Sequence, residues 1–183
     1  MSESAEHVAA NLKSRRNVTI EFINVTSKYC LINPKVYLES GQVHVPPQPT
    51  VRPFKTEVCN FSKTSAKTSG AVGVLTYDLY HQLNGTAERL AIMFSVPYDY
   101  NLYKNWFAVG IYGKDRECDE GLYKEMYYSK DQRSFVREEA VGSTITCLGR
   151  QVDVKAAMSP MERAIMKVEV WDKLFREMEQ QHM

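Results

Sequence analysis

The chain has 183 residues with a formal net charge of +1, and 44% of it is apolar on a broad count. That length suits one domain with a substantial core. The near-zero charge excludes a global field that would draw the protein to nucleic acid or to an acidic membrane, so any binding must come from local chemistry. Aromatic residues are distributed unevenly: of 7 Phe, 2 Trp and 11 Tyr, nine residues fall between Tyr98 and Tyr128.

Residues 1–14 carry a helical pattern, with Ala5, Val8, Ala9 and Leu12 at i, i+3, i+4 and i+7. Alternation of period two begins after Arg15-Arg16-Asn17 and predicts a strand over Val18–Ile23. Lys35–Leu38 reads as a second strand, ended by Ser40-Gly41. Pro46, Pro47, Pro49 and Pro53 then make an extended connection that no central strand tolerates. Lys55–Phe61 reads as a strand and Lys63–Gly70 as a polar loop. Ala71–Tyr80 and Glu88–Val96 read as partners across the turn signal Asn84-Gly85.

Ala108–Tyr112 is the next strand, followed by a charged turn over Gly113–Glu117. Between Asp119 and Tyr128 a short helix fits, with Asp119 and Glu120 at its positive end. Thr144–Leu148 and Met166–Val170 complete the strands. A capping box at Ser159-Pro160-Met161-Glu162 offers a rival helix, but the period-two alternation at Met166–Val170 favours a strand. From Trp171 on, Trp171, Leu174, Phe175 and Met178 share a stripe and predict a terminal helix. Short strands separated by turns, with few and peripheral helices, indicate a mainly β fold, a β-sandwich. The expected organisation is one domain over 1–183: a short N-terminal helical segment (1–14), a sandwich core (15–170) and an extra C-terminal helix (171–183).

No catalytic signature is present: no G-x-S-x-G, H-E-x-x-H, P-loop or G-x-G-x-x-G. The four histidines are isolated, so no metal or other cofactor is expected. No signal peptide is visible in the polar N-terminus, and no apolar run approaches the ~20 residues of a membrane-spanning helix. Cys30, Cys59, Cys118 and Cys147 form no C-x-x-C pair and read as reduced thiols. These observations lead us to expect a non-enzymatic protein, cytoplasmic or non-classically secreted.

The stretch from Phe94 to Phe107 has neither helical nor strand period. A Pro, two Asn and an Asp among its rings suggest an ordered loop that displays them. Burying Tyr98, Tyr100, Tyr103 and Trp106 would require a partner for each OH or N–H. The alternative is a half-wet aromatic platform, joined by Tyr123, Tyr127 and Tyr128 from the short helix. Such a platform cages a quaternary ammonium, settles at a bilayer interface or stacks against sugars. A well-packed aromatic corner remains the bland alternative.

Met93-Phe94-Ser95-Val96-Pro97-Tyr98-Asp99-Tyr100-Asn101, followed by Tyr103, Asn105 and Trp106, resembles the hallmark stretch of the actinoporins, the sea anemone pore-forming cytolysins. The resemblance continues through Gly121–Tyr128 and Ser69–Leu75, and can be laid along the chain from about Arg15 to Val170. It implies an actinoporin-like β-sandwich with short flanking helices, a fold related to that of fungal fruit-body lectins. It further implies a phosphocholine site selecting sphingomyelin-containing membranes, at Ser40, Val72, Ser95, Pro97, Tyr103, Tyr123, Tyr127 and Tyr128. A membrane-facing aromatic loop would carry Leu102, Trp106 and Phe107.

The departures from the family pattern bear on function. Leu102 replaces a ring at the loop tip. Glu39 stands where the family carries an Arg beside the head-group site, exchanging a phosphate-pairing cation for an anion; Lys104 and Lys63 are the candidates to compensate. Arg133-Ser134-Phe135 replaces the family's Arg-Gly-Asp. At most about 14 residues precede Arg15, and a helix that long reaches ~20 Å against a ~30 Å hydrocarbon core. The expected partners are therefore membrane lipid head groups (phosphocholine, sphingomyelin) or glycans, with no nucleic acid and with a homo-oligomer open. Weak or absent pore formation is expected. A lectin, a genuine pore-former and a protein-binding module are the alternatives.

Overall fold

The structure is a computed structural model that describes residues 4–10 and 15–173. In chain order its elements are α1 (Ala5–Ala10), β1 (Asn17–Val25), β2 (Tyr29–Ser40), β3 (Gln42–Val45), β4 (Thr50–Val51), β5 (Thr56–Ser62), β6 (Ala71–His81), β7 (Gly85–Val96), β8 (Trp106–Gly113), α2 (Glu120–Tyr128), β9 (Phe135–Glu139), β10 (Ile145–Leu148), β11 (Val152–Met158) and β12 (Arg163–Asp172). The strands form two six-stranded sheets, ordered β10-β11-β12-β1-β5-β3 and β4-β2-β6-β7-β8-β9. The fold class expected from the alternation patterns is the one found, a mainly β sandwich.

The core lies between the sheets. Val18, Ile20, Phe22 and Phe61 of the first meet Leu75, Tyr77, Ile92, Phe94, Phe107 and Val109 of the second, all essentially inaccessible to solvent. Two ring pairs join the sheets: Phe61 stacks on Phe94 at 4.9 Å and Phe22 meets Tyr77 edge-on at 5.1 Å. Alternate residues of β6, β7 and β8 point the other way. Val74, Ala91, Met93 and Ala108 make a second apolar layer on the outer face of the same sheet, where Leu122, Tyr123 and Met126 of α2 cover them. Asp119 caps α2, its carboxylate accepting from the Leu122 amide at 2.9 Å. The helix is thereby fixed at one end of the sheet.

On the opposite flank α1 lies against the first sheet, with Val8 on Val58 and a Glu6–Lys167 ion pair at 2.9 Å. The β6–β7 hairpin forms across Asn84-Gly85 as expected, Gly85 taking a φ of 72° that favours glycine. The proline-rich connection contributes only β4, two residues at a sheet edge. Met166–Val170 is strand, not the helix offered by the capping box at Ser159.

The C-terminal expectation is corrected at its first residue. Trp171 and Asp172 continue β12, because Trp171 pairs with Val25 and Asp153 in the ladders and Asp172 accepts from the Ser27 amide at 2.9 Å. The strand's alternation runs on through the point where the helical stripe would start. Leu174, Phe175 and Met178, like Leu12, lie outside the described residues. All four cysteines are free thiols.

Candidate functional site

A cleft of about 520 Å³ opens at the end of the second sheet where α2, the β7–β8 loop and the polar loop before β6 converge. Its floor is set by strand register. Ser40 pairs with Val72 after a bulge in β2, and Val72 pairs with Ser95, so the three residues form one row across adjacent strands. One wall is α2, where Tyr123 and Tyr127 stand i, i+4 on one face and Tyr128 follows at the helix end. The other wall is the loop after β7, which supplies Pro97, Tyr98, Asp99 and Tyr103. All eight residues proposed from the resemblance therefore line a single cleft.

The rings are close enough to act together. Tyr123 and Tyr127 lie 5.7 Å apart, and Tyr127 and Tyr128 meet edge-on at 4.7 Å. Exposure is graded: Tyr123 is buried at 5%, Tyr127 is half-buried, and Tyr103 and Tyr128 are 58% and 66% exposed at the mouth. Burial pushes the Tyr123 phenol well above its ordinary value, with the neighbouring phenols adding to the shift; Tyr127 is raised for the same reasons. Both stay neutral at physiological pH and line the cleft.

At the rim Tyr37 donates to Glu39 at 2.8 Å, and that bond pushes the Tyr37 phenol up to about 12. Tyr37 in turn contacts Tyr123, with ring centres 6.2 Å apart. Glu39 is thus fixed at the exposed rim, linked to Tyr123 through the Tyr37 ring. Neither lysine named as a compensating cation lines the cleft. Lys63 donates to the Lys67 carbonyl at 2.9 Å, and Lys104 pairs with Glu139 at 3.5 Å.

The loop is anchored from below. The Arg16 guanidinium donates to the Tyr98 carbonyl at 2.9 and 3.1 Å, lies over the Tyr100 ring at 4.8 Å and pairs with Glu162 at 2.9 Å. The Tyr100 hydroxyl donates to buried Asn105, whose amide donates to the Ser159 and Met161 carbonyls. The displayed-ring reading thus holds for part of the loop: Tyr98, Leu102 and Tyr103 are exposed, whereas Tyr100 packs inward.

The membrane-facing group needs correction. Leu102 is 72% exposed at the loop tip, but Trp106 and Phe107 begin β8 and do not belong to the loop. Their side chains take opposite faces. Trp106 is half-buried at the end of the Ser40–Val72–Ser95 row, and Phe107 is fully buried in the intersheet core opposite Phe94. Arg16, Asp99 and the Thr68-Ser69-Gly70 segment complete the site and its support. No local pattern marks Arg16, which acts 82 positions from the loop it holds.

The sandwich, the flanking helices and the ring-lined cleft at a sheet end define a β-sandwich of the actinoporin-like fold. Residues 8–172 match the sequence profile of the sea anemone cytotoxic protein family, and the chain belongs to that family. DELTA-stichotoxin-Hcr4a of Radianthus crispa is 38% identical over 103 residues, covering 56% of this chain and 53% of that protein. DELTA-actitoxin-Aeq1a of Actinia equina is 49% identical over 61 residues, 33% of this chain and 26% of that one. The matched stretches thus span about half or less of the relatives' length. Among solved structures, the lipid-binding protein Nakanori superposes with a TM-score of 0.71 at 11% identity, covering 91% of this chain and 78% of that one. That likeness concerns the fold.

Proposed function

We propose that this protein is a membrane-surface binding protein that takes choline-bearing head groups, of the phosphocholine or sphingomyelin type, into the tyrosine cleft. The observation that carries the reading is the convergence of Tyr103, Tyr123, Tyr127 and Tyr128 over the Ser40–Val72–Ser95 floor. A trimethylammonium group has no N–H to donate, so π-faces and nearby negative charge are the chemistry that recognises it. Membership of a cytotoxic protein family supports action at membranes. Exposed Leu102 at the loop tip supplies an apolar contact beside the cleft. The role is binding, not catalysis.

Permeabilisation is weak in this reading. The described helix α1 is held against the first sheet by Val8, packed on Val58, and by the Glu6–Lys167 pair. The test is co-sedimentation with phosphatidylcholine vesicles, with and without sphingomyelin, alongside dye release. Wild type sediments with choline-lipid vesicles while dye release stays low. Tyr127→Ala loses ~1–2 kcal/mol of choline affinity. A folded Tyr127→Ala protein that binds vesicles and choline unchanged sinks the cage.

A further inference from the structure

The charges around the cleft are one-sided. Its fourteen lining residues include two carboxylates, Glu39 and Asp99, and no Lys, Arg or His. Among the described residues the cations nearby stand outside the lining: Lys67 and Lys130 are exposed in the flanking segments, and others are engaged elsewhere. Lys124 pairs with Glu120 at 2.8 Å. Arg137 donates to the Met126 and Ser129 carbonyls at 2.9 and 2.8 Å. Lys63 and Lys104 are bound as described above, and Arg16 holds the Tyr98 carbonyl from behind the loop. Glu39 is the better placed of the two acids. It is fixed by the Tyr37 hydroxyl, and its charge acts on Tyr123, the most buried ring of the cage. Asp99 instead spends one oxygen on the Asn101 amide at 2.9 Å.

Resting on the choline reading, we propose that the cleft recognises a choline head group through its quaternary ammonium, the attached phosphate weakening the binding, with Glu39 as the specificity-determining residue. Rings and carboxylate both attract the cation. A phosphate bound through the same molecule meets a fixed anion and no described guanidinium or ammonium in the lining, the charges of Lys124 and Arg137 reaching Glu39 and Tyr127 only from outside it. One like charge at roughly 6 Å, across a dielectric of ~40 between the surface-pair and bulk-water limits, costs about a factor of ten in affinity. Free phosphocholine carries a phosphate monoester charge of about −1.5 to −2 at neutral pH, so the penalty is felt in full. The shared ligand chemistry is a trimethylammonium group, borne either by a soluble molecule or by a choline lipid.

The experiment titrates the full chain with tetramethylammonium, choline, phosphocholine and inorganic phosphate, following tyrosine fluorescence, for wild type, Glu39→Gln and Glu39→Arg. Glu39 is exposed, so both variants fold, and circular dichroism verifies it. Wild type binds choline and tetramethylammonium about tenfold or more tighter than phosphocholine and leaves phosphate unbound. Glu39→Gln brings the choline-to-phosphocholine ratio close to one, and Glu39→Arg inverts it. Phosphocholine binding as tight as choline in wild type, or a ratio unmoved by Glu39→Gln, overturns the proposal while leaving the membrane reading intact. A parallel arm with phosphatidylcholine vesicles separates the two sources. Soluble choline binding without vesicle binding removes the membrane reading and keeps cation selectivity. Failure of every quaternary ammonium to bind overturns both.

Discussion

Gly70→Ala tests the packing that joins the sheet to the cleft. Gly70 lies just before β6, lines the cleft, and has β7's end pressed against it. A Cβ there would stand 1.9 Å from the Val96 carbonyl oxygen and 3.0 Å from the Pro97 carbonyl carbon. The obstructing atoms are backbone, so no side chain can swing aside; relief requires the end of β7 or the start of the loop to move by about an ångström. Overpacking of this kind costs ~1–3 kcal/mol. Loss of the terminal Ala71–Val96 rung adds ~1 kcal/mol. At 2–4 °C per kcal/mol for a domain of this size, the melting temperature falls by roughly 4–16 °C. Because Val96 leads directly into Pro97 and Tyr98, the same displacement lowers choline affinity. Thermal unfolding by circular dichroism and a choline titration read the two effects. Gly113→Ala is the control, since nothing lies within 4 Å of a Cβ there; it is neutral or slightly stabilising. If the two variants melt within a degree of each other and bind alike, the close approach at Gly70 is not what shapes the cleft.

Phe107→Ala, which opens a cavity in the intersheet core, costs ~3–5 kcal/mol in urea unfolding, and Trp106→Ala costs less than half as much. A Phe107→Ala protein of wild-type stability that no longer binds vesicles would return this ring to the membrane face. The Glu6–Lys167 pair gives a pH signature. Its hydrogen bond to Lys167 holds the Glu6 carboxyl below its ordinary value of 4.5, so its stabilisation is present above that value and lost as the pH falls through the lower folded value. The pair is exposed, so Glu6→Gln costs only a few tenths of a kcal/mol at neutral pH. The difference between wild type and variant shrinks as the pH falls below 4.5 and is gone once the pH has passed the lower folded value; a difference of undiminished size at strongly acidic pH refutes the assignment.

Where burial alternates cleanly, the sequence was legible. The β6–β7 hairpin combined long apolar runs with an Asn-Gly turn, and α2 began at an acidic cap. Three strands left weaker traces. β9 is Phe-Val-Arg-Glu-Glu on a sheet edge, where solvent removes the need for a second apolar position. β3 is another edge strand, exposed for most of its length. β11 did alternate, with Val152, Val154, Ala156 and Met158 buried, but Asp153 is 98% buried beside them and disguised the strand as polar. Lys173 answers that charge at 3.1 Å from the next strand's end, a partner that only the fold supplies. At Trp171 the error was of period. A stripe at i, i+3 and i+4 began where an alternating strand had two residues left, and ladder pairing decided the matter.

The cleft was legible through its chemistry and invisible in its charge. A clustering of rings around a proline points to a displayed surface whatever the fold. That no described cation lines the cleft was not readable, because Lys63 and Lys104 drop out only once their tertiary partners are known. Phe107 was misplaced because the aromatic run crosses from loop into strand, and the first two strand residues then part to opposite faces.

The parallel pairing of β1 with β12, from Asn17 opposite Arg163 to Val25 opposite Trp171, imposes an order on biosynthesis. β5 covers one edge of β1 early in translation. The other edge must wait for β12, and at ~5–20 residues per second that wait lasts about 7–30 seconds on the ribosome. Through that interval a central strand, Asn-Val-Thr-Ile-Glu-Phe-Ile-Asn-Val, offers an unpaired apolar edge to any neighbouring nascent chain. The strand that closes this edge is the last of the described strands to be made, so shielding of β1 until β12 docks is a requirement the topology places on folding of the chain.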